Sequence, residues 1–149
     1  MFQILVVCTA NICRSPVAEV LLANLLKGKA IRVESAGTSA QNNYNADATM
    51  TELMAMRGFG SLNFHRSKML LASQVSKYDL ILCMENSHVQ AVERLQIGGR
   101  GKIMLLGHWA GEEQVQDPIG QDRLVYEQSV EQMTILTGQW ADKITQLGI

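Results

Sequence analysis

Residues 3–16 read QILVVCTANICRSP: a short, almost wholly apolar run, QILVVC (3–8), passes directly into CTANICRSP (8–16). A continuous run of this length, rich in β-branched residues, fits a strand covered on both faces, as in a parallel sheet. Ser15 and Pro16 then read as a helix N-cap and first helical residue. Beyond them Ala18, Leu21, Leu22 and Leu25 recur at the spacing of a buried helical stripe that ends near Gly28. Only Thr9 to Arg14 separate the two elements. The stretch therefore predicts a strand, a tight loop and a helix start, the opening unit of a doubly wound α/β fold.

The rest of the chain repeats that alternation. IRVESAG (31–37), YDLILCM (78–84) and KIMLLG (102–107) read as further strands. Helices are predicted over Ala48–Arg57, with Met50, Leu53 and Met54 on one face, and over Ser87–Leu95, ending before Gly98 and Gly99. A last helix runs from Arg123 to Leu147, with Tyr126, Val130, Met133, Trp140 and Ile144 on a helical period. The expected architecture is one domain spanning residues 1–149, with a four-stranded parallel sheet, right-handed crossovers and helices on both faces.

Composition bounds the function. With 13 basic and 14 acidic residues, no general field draws the protein to nucleic acid or an anionic membrane, so any anion site must be local. The N-terminal apolar run lacks a basic flank and is too short for a secretory leader or a membrane span, which leads us to expect a cytoplasmic protein with no membrane insertion. Three cysteines, an odd number, suit free thiols in a reducing compartment better than a disulfide framework.

The opening loop carries the chemistry. Successive N–H groups of Thr9, Ala10, Asn11, Ile12 and Cys13 must curl into a nest backed by a helix dipole, a geometry that binds a tetrahedral dianion. Cys8 at its floor would feel the same positive potential, which favours the nucleophilic thiolate without a histidine base. Arg14 offers a planar, always charged fork for phosphoryl oxygens. Ser15 can donate to the cysteine sulfur, and Asn11 supplies a residue tolerant of the left-handed backbone region. A leaving oxygen needs a proton donor; Asp117, in the DP pair of a loop after the fourth strand, stands on the same sheet edge.

With C-x5-R-S-P after the first strand, SAGTS after the second, YDLILCM as the third and DP near the C-terminus, the sequence resembles the low-molecular-weight protein tyrosine phosphatases over nearly its whole length. KIMLLGHW further resembles the bacterial branch that works opposite tyrosine kinases of capsule and exopolysaccharide export. The resemblance implies Cys8 as nucleophile, Arg14 as phosphate ligand and Asp117 as general acid and then base, with no metal or cofactor. It also implies a hydrogen-bond network of Asn11, Ser15, Ser35 and His65 that shapes the loop. The implied partner is a phosphotyrosine protein, a bacterial tyrosine kinase. Two departures concern the walls that grip the ring. Ile119 and Gly120 follow the DP pair where relatives have aromatics, and Gln41 stands at the other wall, with Tyr44 nearby.

His88 and His108 read as ordinary surface or core histidines, and HRSK (65–68), apart from His65, as a solvated charged face. Two alternatives share the cradle: an arsenate reductase relaying a disulfide through Cys83, and a phosphate-binding module without catalysis. The relay would want another cysteine a helix turn or two beyond Cys83, and MENSHVQAVERL (84–95) contains none; the presence of both Cys8 and Asp117 speaks against the binding module. Cys13 reads either as packing or as a disulfide partner of Cys8 that shields it from over-oxidation.

Overall fold

The computed structural model of the chain describes residues 1–96 and 102–149. Its elements are β1 (Phe2–Cys8), α1 (Arg14–Leu25), β2 (Ile31–Gly37), α2 (Ala48–Met56), α3 (Ala72–Val75), β3 (Leu80–Cys83), α4 (Asn86–Leu95), β4 (Ile103–Leu105) and α5 (Arg123–Gln146). Short 3-10 turns lie at Gly60–Phe64 and His108–Ala110. The strands form one parallel sheet in the order β2-β1-β3-β4.

Both faces of the sheet are covered, which explains why β1 is apolar at successive positions. Ile4, Val6 and Cys8 face a core shared with α1, α2 and α5; Leu5 and Val7 face a second core with Leu70, Val75, Ile81 and Val92. The long α5 buries Tyr126, Val130, Met133, Trp140 and Ile144 as its period predicts. Trp140 also donates from Nε1 to the Leu106 carbonyl at 2.9 Å, so its one polar atom is satisfied inside the core. Among the described residues no helix is long and apolar enough to cross a membrane.

The α/β class is as the sequence implies, but several details differ. Ser15 is not the cap of α1: the cap position is Cys13, without a side-chain hydrogen bond, and Ser15 and Pro16 lie inside the first turn. The first-turn N–H groups are thereby left open toward the loop instead of being closed by a hydroxyl. Leu25 is 48% exposed and Leu26 takes its place in the core, because the buried stripe follows positions 18, 22 and 26. Strands β3 and β4 are shorter than their apolar runs, and the predicted end of α4 at Gly98 and Gly99 lies outside the described residues.

Candidate active site

From β1 the chain crosses to β2 on one side, while β3 pairs with β1 on the other. The strand order reverses there, and in such sheets the crevice at the strand carboxyl ends is where ligands bind. The loop Thr9–Cys13 occupies that crevice, with buried Cys8 ending β1 and Arg14 opening α1. Asn11 sits at φ 58°, in the left-handed region that its sequence position predicts. Gly37 makes room for the loop: a Cβ there would lie 2.4 Å from the Thr9 carbonyl oxygen and 3.0 Å from Asn11 N. The SAGTS segment holds the loop by its backbone, Thr38 N donating to the Cys8 carbonyl and Ser39 N to that of Thr9, both at 3.0 Å.

On the β2 side the loop is anchored by neutral hydrogen bonds that end on one acid. Asn11 is fully buried; its Nδ2 donates to Ser15 Oγ at 2.8 Å and Ser35 Oγ at 2.9 Å, and its Oδ1 accepts from Lys68 N at 2.9 Å. Because a backbone N–H can only donate, this last bond fixes the orientation of the amide. Ser35 Oγ in turn donates a hydrogen bond to the Glu19 carboxylate. Ser15 Oγ, which accepts from Asn11, lies 2.9 Å from Cys8 Sγ, a contact in which either atom can donate. His65 donates from Nε2 to the Asn11 carbonyl at 2.6 Å, and its burial holds its pKa below the ordinary histidine value. The structure thus brings Asn11, Ser15, Ser35 and His65 together behind the sulfur.

On the β3 side the anchors are charged. Arg14, 3% exposed, donates from Nη1 to Glu85 Oε2 at 2.6 Å and to the Val115 carbonyl at 2.8 Å. Its Nε and Nη2, the edge that can hold two oxygens in parallel, make no hydrogen bond to protein among the described residues. Glu85 N donates to His88 Nδ1 at 3.1 Å, and His88 Nε2 lies 2.8 Å from Thr9 Oγ1. His88 thus fits the ordinary reading given it by sequence in having both ring nitrogens partnered. It is buried as a satisfied core histidine would be, yet its partner is the anion loop itself.

Around the mouth, Asp117 is exposed, its Oδ1 accepting from Ile119 N at 3.0 Å. Its negative charge acts to raise the pKa values of both Cys13 and His88. Gln41 and Tyr44 line a hollow of about 300 Å³ together with Ala10, Ile12, Ser39, Asn45 and Ser67. Ile119 is absent from that lining and 42% exposed. Ser67 contradicts the solvated reading of HRSK: it is 2% exposed, donating to the Gln41 carbonyl at 2.5 Å and accepting from Tyr44 N at 2.9 Å. It ties the wall loop to the segment that carries His65 and Lys68.

All three thiols are free and buried. Burial pushes the Cys13 and Cys83 thiols well above their ordinary range, which makes both neutral packing groups in the resting protein. Glu19 and Glu85 carry no signal in the sequence, while Ser67 and His88 read there as solvated and ordinary. The first two are acids one helical turn into α1 and at the cap of α4, facing the loop from elements whose packing alone reveals them.

Fold and loop define a doubly wound α/β protein with a buried thiol ending β1 and a buried arginine opening α1 at the carboxyl edge of the sheet. The chain belongs to the family described as low molecular weight phosphotyrosine protein phosphatase, whose model matches residues 3–147. By that membership it is a low-molecular-weight protein-tyrosine phosphatase. It is 37% identical over 144 residues to the low molecular weight protein-tyrosine-phosphatase Etp of Escherichia coli K12, covering 97% of this chain and 95% of that one. Among solved structures it is similar to Vibrio vulnificus Wzb in complex with benzylphosphonate, with TM-score 0.89, 36% identity and coverage of 95% and 98% of the two chains. It also resembles a YwlE arginine phosphatase with a phosphorylated active-site serine in place of cysteine, with TM-score 0.90, 30% identity and coverage of 97% and 96%.

Proposed function

We propose that the chain, acting as one catalytic domain in the cytoplasm, hydrolyses phosphotyrosine through a phosphocysteine. Cys8 Sγ attacks phosphorus while Arg14 and the loop N–H groups of residues 9–15 hold the non-bridging oxygens. Asp117 protonates the departing phenol oxygen, and in the second step takes a proton from the water that releases phosphate from sulfur. Ser15 donates to the sulfur as it leaves. The observation that carries this reading is the hydrogen-bonded chain behind the sulfur: Asn11 Nδ2 donates to Ser15 Oγ, and Ser15 Oγ lies 2.9 Å from Cys8 Sγ, within reach to donate to it. It stabilises a sulfur that bears negative charge before attack and again on departure.

Tyrosine is favoured over serine because a phenol, with a pKa of about 10, leaves more readily than an alkyl alcohol. It is favoured over phosphoarginine because the hollow beside the loop presents Ile12 and Tyr44, an apolar and an aromatic side chain that suit a phenyl ring. The substrate we infer is an autophosphorylated bacterial tyrosine kinase of polysaccharide export, a reading supported by the similarity to Etp and Wzb. Cys13 serves as a redox partner. Peroxide oxidises the two thiols to a Cys8–Cys13 disulfide with release of two waters, and thiol reductant restores activity in the wild type but not in Cys13→Ala.

The test is hydrolysis of an aryl phosphate, a phosphotyrosine peptide and phosphoarginine with EDTA present. We expect turnover of the first two, none by Cys8→Ser, and a loss of about 10²–10⁴-fold in kcat for Asp117→Asn. Undiminished turnover by Cys8→Ser would sink the mechanism, and preference for phosphoarginine would sink the substrate assignment.

A further inference from the structure

The neutral flank of the loop explains how the sulfur is held, but it leaves unexplained why a buried histidine reaches the loop from α4. The hydrogen bonds fix its state. Glu85 N can only donate, so His88 Nδ1 is the acceptor and carries no proton. The proton of the neutral ring is therefore on Nε2, pointed at Thr9 Oγ1 2.8 Å away. Burial, and then the Arg14 charge, hold the ring pKa below its ordinary value, against the opposing pull of Glu85 and Asp117. Thr9 Oγ1 must thus accept from His88, and its own hydroxyl proton cannot face the ring. Among the described residues it makes no other hydrogen bond, and Thr9 is exposed at the mouth immediately after Cys8.

We infer that His88 is a positioning residue. It acts through Thr9, turning the hydroxyl proton outward so that Thr9 Oγ1 becomes one more donor to a non-bridging oxygen of the bound phosphoryl group. A hydroxyl that accepts a hydrogen bond is polarised into a better donor, and a donor already oriented loses little freedom when the anion arrives. The arrangement also joins two charged groups to one task, since the backbone that sets the tautomer of His88 belongs to Glu85, the partner of Arg14. The inference rests on the phosphatase reading for its catalytic part and on the loop geometry alone for its binding part.

Binding of inorganic phosphate and hydrolysis of p-nitrophenyl phosphate are measured for Thr9→Val, Thr9→Ser, His88→Leu and the double variant Thr9→Val/His88→Leu. Thr9→Val, an isosteric change at an exposed site, is expected to weaken phosphate binding and lower kcat/KM by about tenfold, the worth of one hydrogen bond to a charged group. Thr9→Ser is expected to recover most of that loss. His88→Leu should cost a similar factor in the wild type and nothing further in the Thr9→Val background. Nitrogen NMR should show His88 with Nε2 protonated and Nδ1 bare, and Thr9→Val should shift the Nε2 proton. Wild-type phosphate affinity in Thr9→Val, or an undiminished cost of His88→Leu in the double variant, overturns the proposal. Should the wild type bind phosphate but fail to hydrolyse the ester, the phosphatase reading falls while the binding arm still decides the role of His88.

Discussion

The two flanks of the loop hold it by different physics. On the β2 side Asn11, Ser15, Ser35 and His65 form a buried net of amide, hydroxyl and imidazole groups in which each donor is matched and the amide orientation is fixed by Lys68 N. On the β3 side the grip is electrostatic, an Arg14–Glu85 pair at 2.6 Å with His88 beneath it. A neutral net specifies shape, because removing any member strands a buried partner. A charged pair leaves one edge of the guanidinium free to exchange protein for substrate, which a fully satisfied net cannot do. Shape is thus set on one side of β1 and charge is presented on the other.

The largest effect is expected where charge meets the anion. Arg14→Lys should lower kcat/KM by about 10²–10³-fold, because a point charge cannot grip Glu85 and the phosphoryl oxygens together. Its thermal stability should change less than that of variants on the β2 flank. Next comes Asn11→Ala, expected to cost about 3 kcal/mol of stability in urea titrations: the left-handed backbone becomes strained, and Lys68 N, Ser15 and Ser35 each lose a partner. Asn11→Gly should return about 1 kcal/mol, since glycine accepts φ 58° but supplies no amide. Equal stability of the Ala and Gly variants would mean that strain plays no part in what Asn11 contributes.

Much of this was legible in the sequence, for reasons that differ by element. The strand, the loop and the left-handed Asn11 follow from local pattern, since β1 is buried on both faces and only Thr9–Cys13 separate it from α1. The helix start was misread because Ser15 resembles a cap, and only the tertiary position of Cys8 shows what its hydroxyl is for. Leu25 was misplaced by a single position, the usual slip when a short helix ends at a turn. Glu85, Ser67 and His88 left no local signal, because each acts on the loop from a segment distant in sequence, and Glu19 left none because its partner Ser35 lies on another element. The roles of Glu85 and His88 come from the strand order, which places β3, and α4 after it, on the side of β1 away from β2.

A smaller and more diagnostic effect concerns pH. His65 on one flank and His88 on the other both have folded pKa values held below the ordinary 6.5 by burial. A depressed folded pKa means that the unfolded chain takes up the proton first, so the stability each neutral ring contributes is present above pH 6.5 and is lost as pH falls through the folded value. Unfolding midpoints in urea should fall between pH 7 and pH 5, and the fall should shrink in His65→Gln and in His88→Gln. The flanks should still part company in function. Protonating His88 places a proton on Nδ1, where the Glu85 N–H already points, and so disturbs the partner of Arg14. Protonating His65 adds a donor at Nδ1 and leaves its Nε2 bond to the Asn11 carbonyl intact. The acid limb of phosphate binding should therefore move in His88→Gln and stay in His65→Gln; a limb that moves in both would show that the two flanks are one unit and not two.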